Sequence, residues 1–72
     1  MSSCVITADT PATVWKVLAG EGDTVSDGDT LMILEAMKME IPVEAEQDGV
    51  VARILVAEGD LVEMDQRLVE LV

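Results

Sequence analysis

The sequence TVWKVLAGEGDTV, residues 13–25, returns 37 positions later in the chain as VVARILVAEGDLV, residues 50–62. When residues 8–34 are laid over residues 45–71, nine of the 27 aligned pairs are identical. Self-similarity at a fixed spacing indicates one supersecondary unit that is present twice. The sequence therefore predicts an internal duplication, with two copies related by a pseudo-twofold axis.

Each copy consists of short apolar runs separated by turn residues. The runs 13–19 and 50–56 are rich in β-branched and aliphatic residues, and each ends at a Glu-Gly-Asp turn. A second pair of runs, 30–35 and 67–72, closes the two copies. This alternation of short runs and turns predicts an all-β domain.

The turn before each closing run uses a different residue at its centre. The first copy has Asp27-Gly28-Asp29 there, whereas the second has Met64-Asp65-Gln66. Glycine adopts a left-handed conformation freely, and Asp tolerates it better than most residues do. We therefore expect both turns to form.

Residues 30–43 have the highest helical propensity in the chain, but Pro42 and the β-rich flanks favour two strands around a tight turn. Strict alternation would place Val14, Lys16 and Leu18 on one face, so we expect a bulge, or a Lys16 stem that lies along the surface. The predicted core consists of Val14, Val17, Val25, Leu31, Ile33, Val43, Val51, Ile54, Val62 and Leu68.

Length and charge limit the classes of function. With 72 residues the chain makes one domain, residues 1–72, which is too small to enclose a substrate cavity. Four cationic and fifteen acidic residues give a net charge of −11, which argues against nucleic acid or an anionic membrane as a partner. Cys4 is the single cysteine and no His accompanies it. We expect a soluble, cytoplasmic domain without a metal site.

The residues Glu35-Ala36-Met37-Lys38-Met39-Glu40 occupy the turn between the two strands of residues 30–43. Turns favour Gly, Asn, Asp, Pro and Ser, and this one contains none of them. Exposed thioethers reduce solubility, so the flanking methionines suggest contact with an apolar ligand or partner. Lys38 is therefore a candidate for covalent modification. One alternative is that Lys38 is an ordinary surface lysine. Another is that Met37 or Met39 folds back into the core and therefore contacts no ligand or partner.

The tetrapeptide Ala36-Met37-Lys38-Met39 matches, without a substitution, the signature of the biotinyl domains of biotin carboxyl carrier proteins. The chain resembles this family over nearly its whole length, since the segments at 13–17, 21–25, 28–29, 31–35 and 49–51 fall where the family has them. The resemblance implies a flattened β-barrel, or barrel-sandwich hybrid, of two four-stranded antiparallel sheets. It also implies that the modified lysine lies on a hairpin.

The resemblance further implies that a biotin protein ligase transfers biotin from its adenylate to the amine of Lys38. The swinging arm then carries a carboxyl group from a biotin carboxylase to a carboxyltransferase, and the domain itself catalyses nothing. Glu35, Ala36, Met37 and Met39 would be the flanking recognition residues. About ten single bonds in the arm give a reach of roughly 12 to 14 Å. Tethering raises the effective concentration of biotin, so weak interfaces suffice.

Two alternatives share parts of this pattern. A lipoyl-carrier domain of an acyl-transfer complex has the same fold, but typically has Asp before its lysine and Ala or Val after it. An unmodified docking module would lose the lysine or its flanking motif. The chain also departs from the biotinyl family at residues 8–12, where the first copy has Ala12 and the second keeps Gly49. There is no room between Val17 and Gly22 for the "thumb" insertion of some bacterial carriers, which makes this the small, thumbless type.

Overall fold

The computed structural model describes residues 3–72, and the described residues form eight strands and no helix. Met1 and Ser2, which the predicted domain includes, lie outside the described residues. The strands are β1 (Cys4–Thr7), β2 (Ala12–Val17), β3 (Thr24–Val25), β4 (Thr30–Ala36), β5 (Met39–Glu44), β6 (Gly49–Ile54), β7 (Leu61–Val62) and β8 (Arg67–Leu71). The predicted all-β class and the pair of strands within residues 30–43 are confirmed.

The strands form two four-stranded antiparallel sheets. Sheet I has the order β1-β8-β6-β3, and sheet II has the order β5-β4-β2-β7. A shift of 37 residues carries β2 onto β6, and it relates every strand of sheet I to the strand in the same position of sheet II. The predicted duplication is therefore visible in the fold, and the pseudo-twofold operation exchanges the two sheets.

Backbone hydrogen bonds join the copies at the two Glu-Gly-Asp turns. The N–H of Gly22 donates to the carbonyl of Val51, and the N–H of Gly59 donates to the carbonyl of Val14, each at 2.8 Å. Both glycines have a φ of 93°, and nothing lies within 4 Å of where a Cβ would stand. Since a side chain would fit at both positions, lack of space does not explain the glycines. They are needed because the backbone has a positive φ, which glycine adopts without strain.

Acidic side chains stabilise the same turns. Oε2 of Glu58 accepts a hydrogen bond from the N–H of Val17, and Oε2 of Glu21 accepts one from the N–H of Ile54, each at 3.0 Å. Asp23 accepts a hydrogen bond from the N–H of Gly20 at 2.7 Å, and the equivalent Asp60 does so for Ala57 at 2.9 Å. Many of the acidic residues therefore shape turns.

A β-bulge lies in the middle of β2. The register between β2 and β4 changes from Val14↔Leu34 to Lys16↔Ile33, which leaves Trp15 as the extra residue. Trp15 and Lys16 are both exposed, and the Nζ of Lys16 lies 5.3 Å from the centre of the Trp15 ring. The predicted bulge is confirmed. The predicted turn at Asp65 is confirmed as well, with a φ of 67° against 92° at Gly28.

The core between the sheets is apolar, with no buried polar or charged residue among those described. Seven of the ten predicted core residues are buried, and Val17 and Ile54 are half-buried against the core. Ile33 was predicted wrongly. The bulge between Thr30 and Met32 buries Leu31 and Met32 together, so that Ile33 turns outward. The buried residues that the prediction missed are Ile6, Ala8, Met32, Leu34, Ala45, Val56, Val69 and Leu71.

The hydrogen bond from Val17 to Glu58 gives a test of the link between copies. We expect Glu58→Ala to lower the free energy of unfolding by about 0.5–1.5 kcal/mol, because the N–H of Val17 loses its acceptor. Glu21→Ala should have the same effect, since it removes the equivalent bond to Ile54. Glu58→Gln keeps a side-chain oxygen and is the matched control. Urea denaturation measures all three, and equal stability of Glu58→Ala and Glu58→Gln would contradict the prediction.

Gly49 gives a second test, because a Cβ there would lie 2.7 Å from the carbonyl oxygen of Val72. That oxygen accepts the N–H of Val50 at 2.9 Å, so it cannot move without weakening the sheet. We expect Gly49→Ala to cost about 1–3 kcal/mol through overpacking. The equivalent exchange in the first copy, Ala12→Gly, should cost only about 0.5–1 kcal/mol, through backbone entropy. Thermal or urea unfolding of both variants measures the two losses in the free energy of unfolding. A larger loss for Ala12→Gly than for Gly49→Ala would refute the steric argument.

Candidate functional site

The strands β4 and β5 form a hairpin whose loop consists of Met37 and Lys38. The last residue pair before the loop is Ala36↔Met39. Met37 has a φ of 51° and Lys38 a φ of 65°. Positive φ at both residues of a two-residue loop is the arrangement of a type I′ turn, whose twist matches that of the flanking strands. Lys38 therefore lies at the apex of the hairpin.

The loop sequence is unfavourable for this turn. Type I′ turns prefer Asn-Gly, because a left-handed conformation costs most side-chain-bearing residues about 1–2 kcal/mol each. Neither Met nor Lys belongs to the residues that tolerate it well. Strained backbone of this kind is typical of functional sites. Met37 and Lys38 are thus not explained by the stability of the turn.

The two faces of the hairpin differ in chemistry. The pair Leu34↔Ile41 faces the core, and the pair Ala36↔Met39, two residues further along, lies on the same face beyond the end of the core. The exposed fraction is 94% for Met37 and 65% for Met39, whereas Ala36 is half-buried. Neither methionine folds back into the core. The thioethers are presented to the outside on both sides of Lys38.

Glu35 and Glu40 form a directly opposed pair on the other face of the hairpin. Both are exposed. The sequence-based site included Glu35 but not Glu40. A two-residue loop centred on Met37 and Lys38 pairs the residues on either side symmetrically, and this signal could have identified Glu40. The structure brings the predicted residues 35–39 together at one tip and adds Glu40 to them.

Lys38 itself is exposed, and within residues 3–72 its side chain has no hydrogen bond or ion pair. The amine is therefore accessible from solvent without first breaking a contact in the described structure. A covalent group on this amine would meet no steric obstacle from the barrel, and the flanking thioethers would offer it an apolar surface. The geometry leaves this amine open to covalent modification.

Other parts of the described chain offer no comparable chemistry. An open groove of about 360 Å³ lies beside the edge strands β1 and β5, away from Lys38, and it is lined by Asp9, Asp27, Glu44 and Glu46 among others. No group of three or more His, Cys, Asp or Glu in residues 3–72 could hold a metal ion. None of the described residues belongs to a helix long and apolar enough to cross a membrane.

The chain is similar to proteins that carry biotin. It is 43% identical over 58 residues to the biotinylated protein TB7.3 homologue of Mycobacterium leprae (strain TN), and the match covers 81% of this chain and 82% of that protein. It is 47% identical over 62 residues to the biotin carboxyl carrier protein of Streptococcus mutans serotype c, covering 86% of this chain but only 48% of that protein.

Among solved structures, the urea carboxylase of Kluyveromyces lactis contains a similar domain. It superposes with a TM-score of 0.93 at 35% sequence identity, over 100% of this chain and 6% of that protein. A family model described as "Biotin-requiring enzyme" matches residues 2–71. The fold, the hairpin and these matches agree, and the chain belongs to the biotin/lipoyl attachment domain family of biotin-requiring enzymes.

Proposed function

We propose that this chain is the biotin carrier domain of a biotin-dependent carboxylase system and that biotin is attached to Lys38. The observation that carries the proposal is the side chain of Lys38, exposed at the apex of a strained two-residue loop and without a side-chain partner in residues 3–72. Membership of a biotin-requiring family supplies the identity of the group. The names of two relatives, a biotinylated protein and a biotin carboxyl carrier protein, support the same function.

In this proposal the Nζ of Lys38 attacks the carboxyl carbon of biotinyl adenylate held by a biotin protein ligase. The amide bond forms as the acyl–phosphate bond breaks, and AMP and a proton are released. The hairpin holds the amine beyond the end of the core, where an enzyme can surround it. Met37 and Met39 provide apolar contacts to that enzyme. Ala36 keeps the base of the loop narrow, and Glu35 with Glu40 offers negative charge to cationic side chains of the partner.

When bound, biotin supplies the ureido nitrogen on which a carboxyl group is carried. The chain's part is to hold the arm and to present it in turn to a biotin carboxylase and a carboxyltransferase. An arm with a reach of roughly 12 to 14 Å serves two active sites that are further apart than its own span only if the whole domain moves between them. The domain has no catalytic role of its own, and its proposed setting is the cytoplasm.

The modification can be tested by expressing the chain together with a biotin protein ligase and measuring its intact mass. We expect one biotin on the wild-type chain and none on Lys38→Arg, because guanidinium is not a nucleophile at neutral pH. Lys16→Arg is the matched control and should still carry one biotin. Lipoate in place of biotin, or a folded wild-type chain without any adduct, would contradict the proposal.

A second test separates the stability of the loop from its function. Met37→Asn should raise the free energy of unfolding by about 0.5–1 kcal/mol, because Asn tolerates positive φ better than Met does. The same change should slow biotinylation by the ligase, since it removes an exposed apolar contact. Urea denaturation and a timed biotinylation assay give the two values. A variant that is more stable and is also modified at the wild-type rate would exclude Met37 from recognition.

A further inference from the structure

The strand β1 is an edge of sheet I, and no strand of residues 3–72 pairs with its outer side. Directly after the strand, the N–H of Ala8 donates to the carbonyl of Gln66 at 3.0 Å, towards the rest of the sheet. Successive residues of a strand direct their backbone groups to opposite sides, so those of Val5 and Thr7 point to the open side. This edge therefore presents free N–H and C=O groups with which another extended chain can pair.

The equivalent edge in the second copy is blocked. A shift of 37 residues places Val5 on Pro42 and Thr7 on Glu44. The N–H of Ala45 donates into sheet II at 2.8 Å, so position 42 directs its backbone groups outward as position 5 does. Proline has no N–H to donate, and a charged side chain follows it at Glu44. Both features hinder pairing at a sheet edge, so β5 is protected and β1 is not.

The other two edge strands are protected by their length. The strands β3 and β7 have two residues each, and very short edge strands give another chain little to pair with. The strand β1 has four residues, without a proline or a charged side chain. Among the strands of residues 3–72 it is the one edge that lacks all of these forms of protection. The backbone does not require this, since the second copy has a proline at the equivalent position.

The open edge borders the groove of about 360 Å³ that is lined by residues of both β1 and β5. Ile6, Leu34 and Ile41 give the groove an apolar floor, and Ile41 is only half-buried. Side chains alternate between the two faces of a sheet, so a strand paired with β1 would direct every second side chain towards this floor. Apolar side chains at those positions would cover it.

The rim of the groove determines which charge fits. Asp9, Asp27, Glu44 and Glu46 line it, and all four are exposed. None of the described residues that line the groove is Lys or Arg. A second copy of the chain, with its net charge of −11, would bring like charge to this rim. Charge complementarity therefore favours a cationic segment of another protein.

We propose that the open edge of β1 and the groove beside it bind an extended, cationic segment of a partner protein as an additional strand of sheet I. Hydrogen bonds to the backbone of Val5 and Thr7 hold the segment in register. Its apolar side chains cover the floor of the groove, and its Lys or Arg side chains reach the acidic rim. The surface is separate from the hairpin tip, so the inference does not depend on the modification of Lys38.

The probe is a peptide of about seven alternating Val and Lys residues with blocked ends, a length that spans the edge. It is titrated into the unmodified wild-type chain, and we expect amide chemical shifts to change most in β1 and least at Lys38. Val5→Pro gives this edge the residue that the second copy already has, so it should fold with an unchanged urea midpoint. It should raise the Kd for the peptide about tenfold, because an N–H donor is lost and the ring obstructs the added strand.

Three controls separate the backbone from the side chains. Val5→Ala shortens the side chain but keeps the N–H, so it should leave the Kd nearly unchanged. The Val and Lys peptide with methylated backbone nitrogens cannot donate hydrogen bonds and should not bind, which tests the same point without altering the chain. Glu44→Gln combined with Glu46→Gln should weaken binding, and a peptide of alternating Val and Glu should not bind.

Several results would overturn the inference. These are the absence of binding by the Val and Lys peptide, equal Kd values for Val5→Pro and the wild type, and binding of the methylated or the acidic peptide with the wild-type Kd. A dimer of the wild-type chain that Val5→Pro dissociates would assign the edge to a second copy instead. The proposed function is tested separately, because none of these measurements involves biotin.

Discussion

The exchange of strands between the two copies is the constraint on which the rest of the structure depends. Each sheet takes its two central strands from one copy and its two edge strands from the other, so neither copy contains a complete sheet. The hydrogen bonds from Gly22 to Val51 and from Gly59 to Val14 join the copies where the strands cross over. Burial in a domain of this size is limited, and the interlocked arrangement lets both copies contribute to one core.

This arrangement gives the hairpin a rigid base. β4 is a central strand of sheet II, held by β5 on one side and β2 on the other. Leu31, Met32 and Leu34 anchor it in the core, whereas the tip at Met37 and Lys38 extends beyond the core. A site on a rigid hairpin presents its amine at a defined position, and the stability of the base offsets the cost of two positive-φ residues at the tip.

The departures from symmetry mark the features that folding alone does not explain. Most turn hydrogen bonds occur twice, such as those of Asp23 and Asp60. The bond from the N–H of Asp27 to Asp48 occurs once among the described residues, because Pro11 occupies the position equivalent to Asp48. Trp15 likewise differs from its equivalent, Ala52. The two copies can therefore be compared position by position. A side chain that is present in one copy and absent from the equivalent position of the other is not required by the backbone that both copies share.

The sequence by itself determined the duplication, the all-β class, the Glu-Gly-Asp turns and the prominence of Lys38. These features depend on local signals, namely a repeat, turn residues and an unusual loop composition, which can be read without knowing what lies nearby in space. Only the tertiary structure decided that Met32 is inside and Ile33 outside, because a bulge in one strand is set by its pairing with another. The exchange of edge strands and the row formed by Trp15, Ile33 and Pro42 likewise depend on pairing between segments that are separated along the chain.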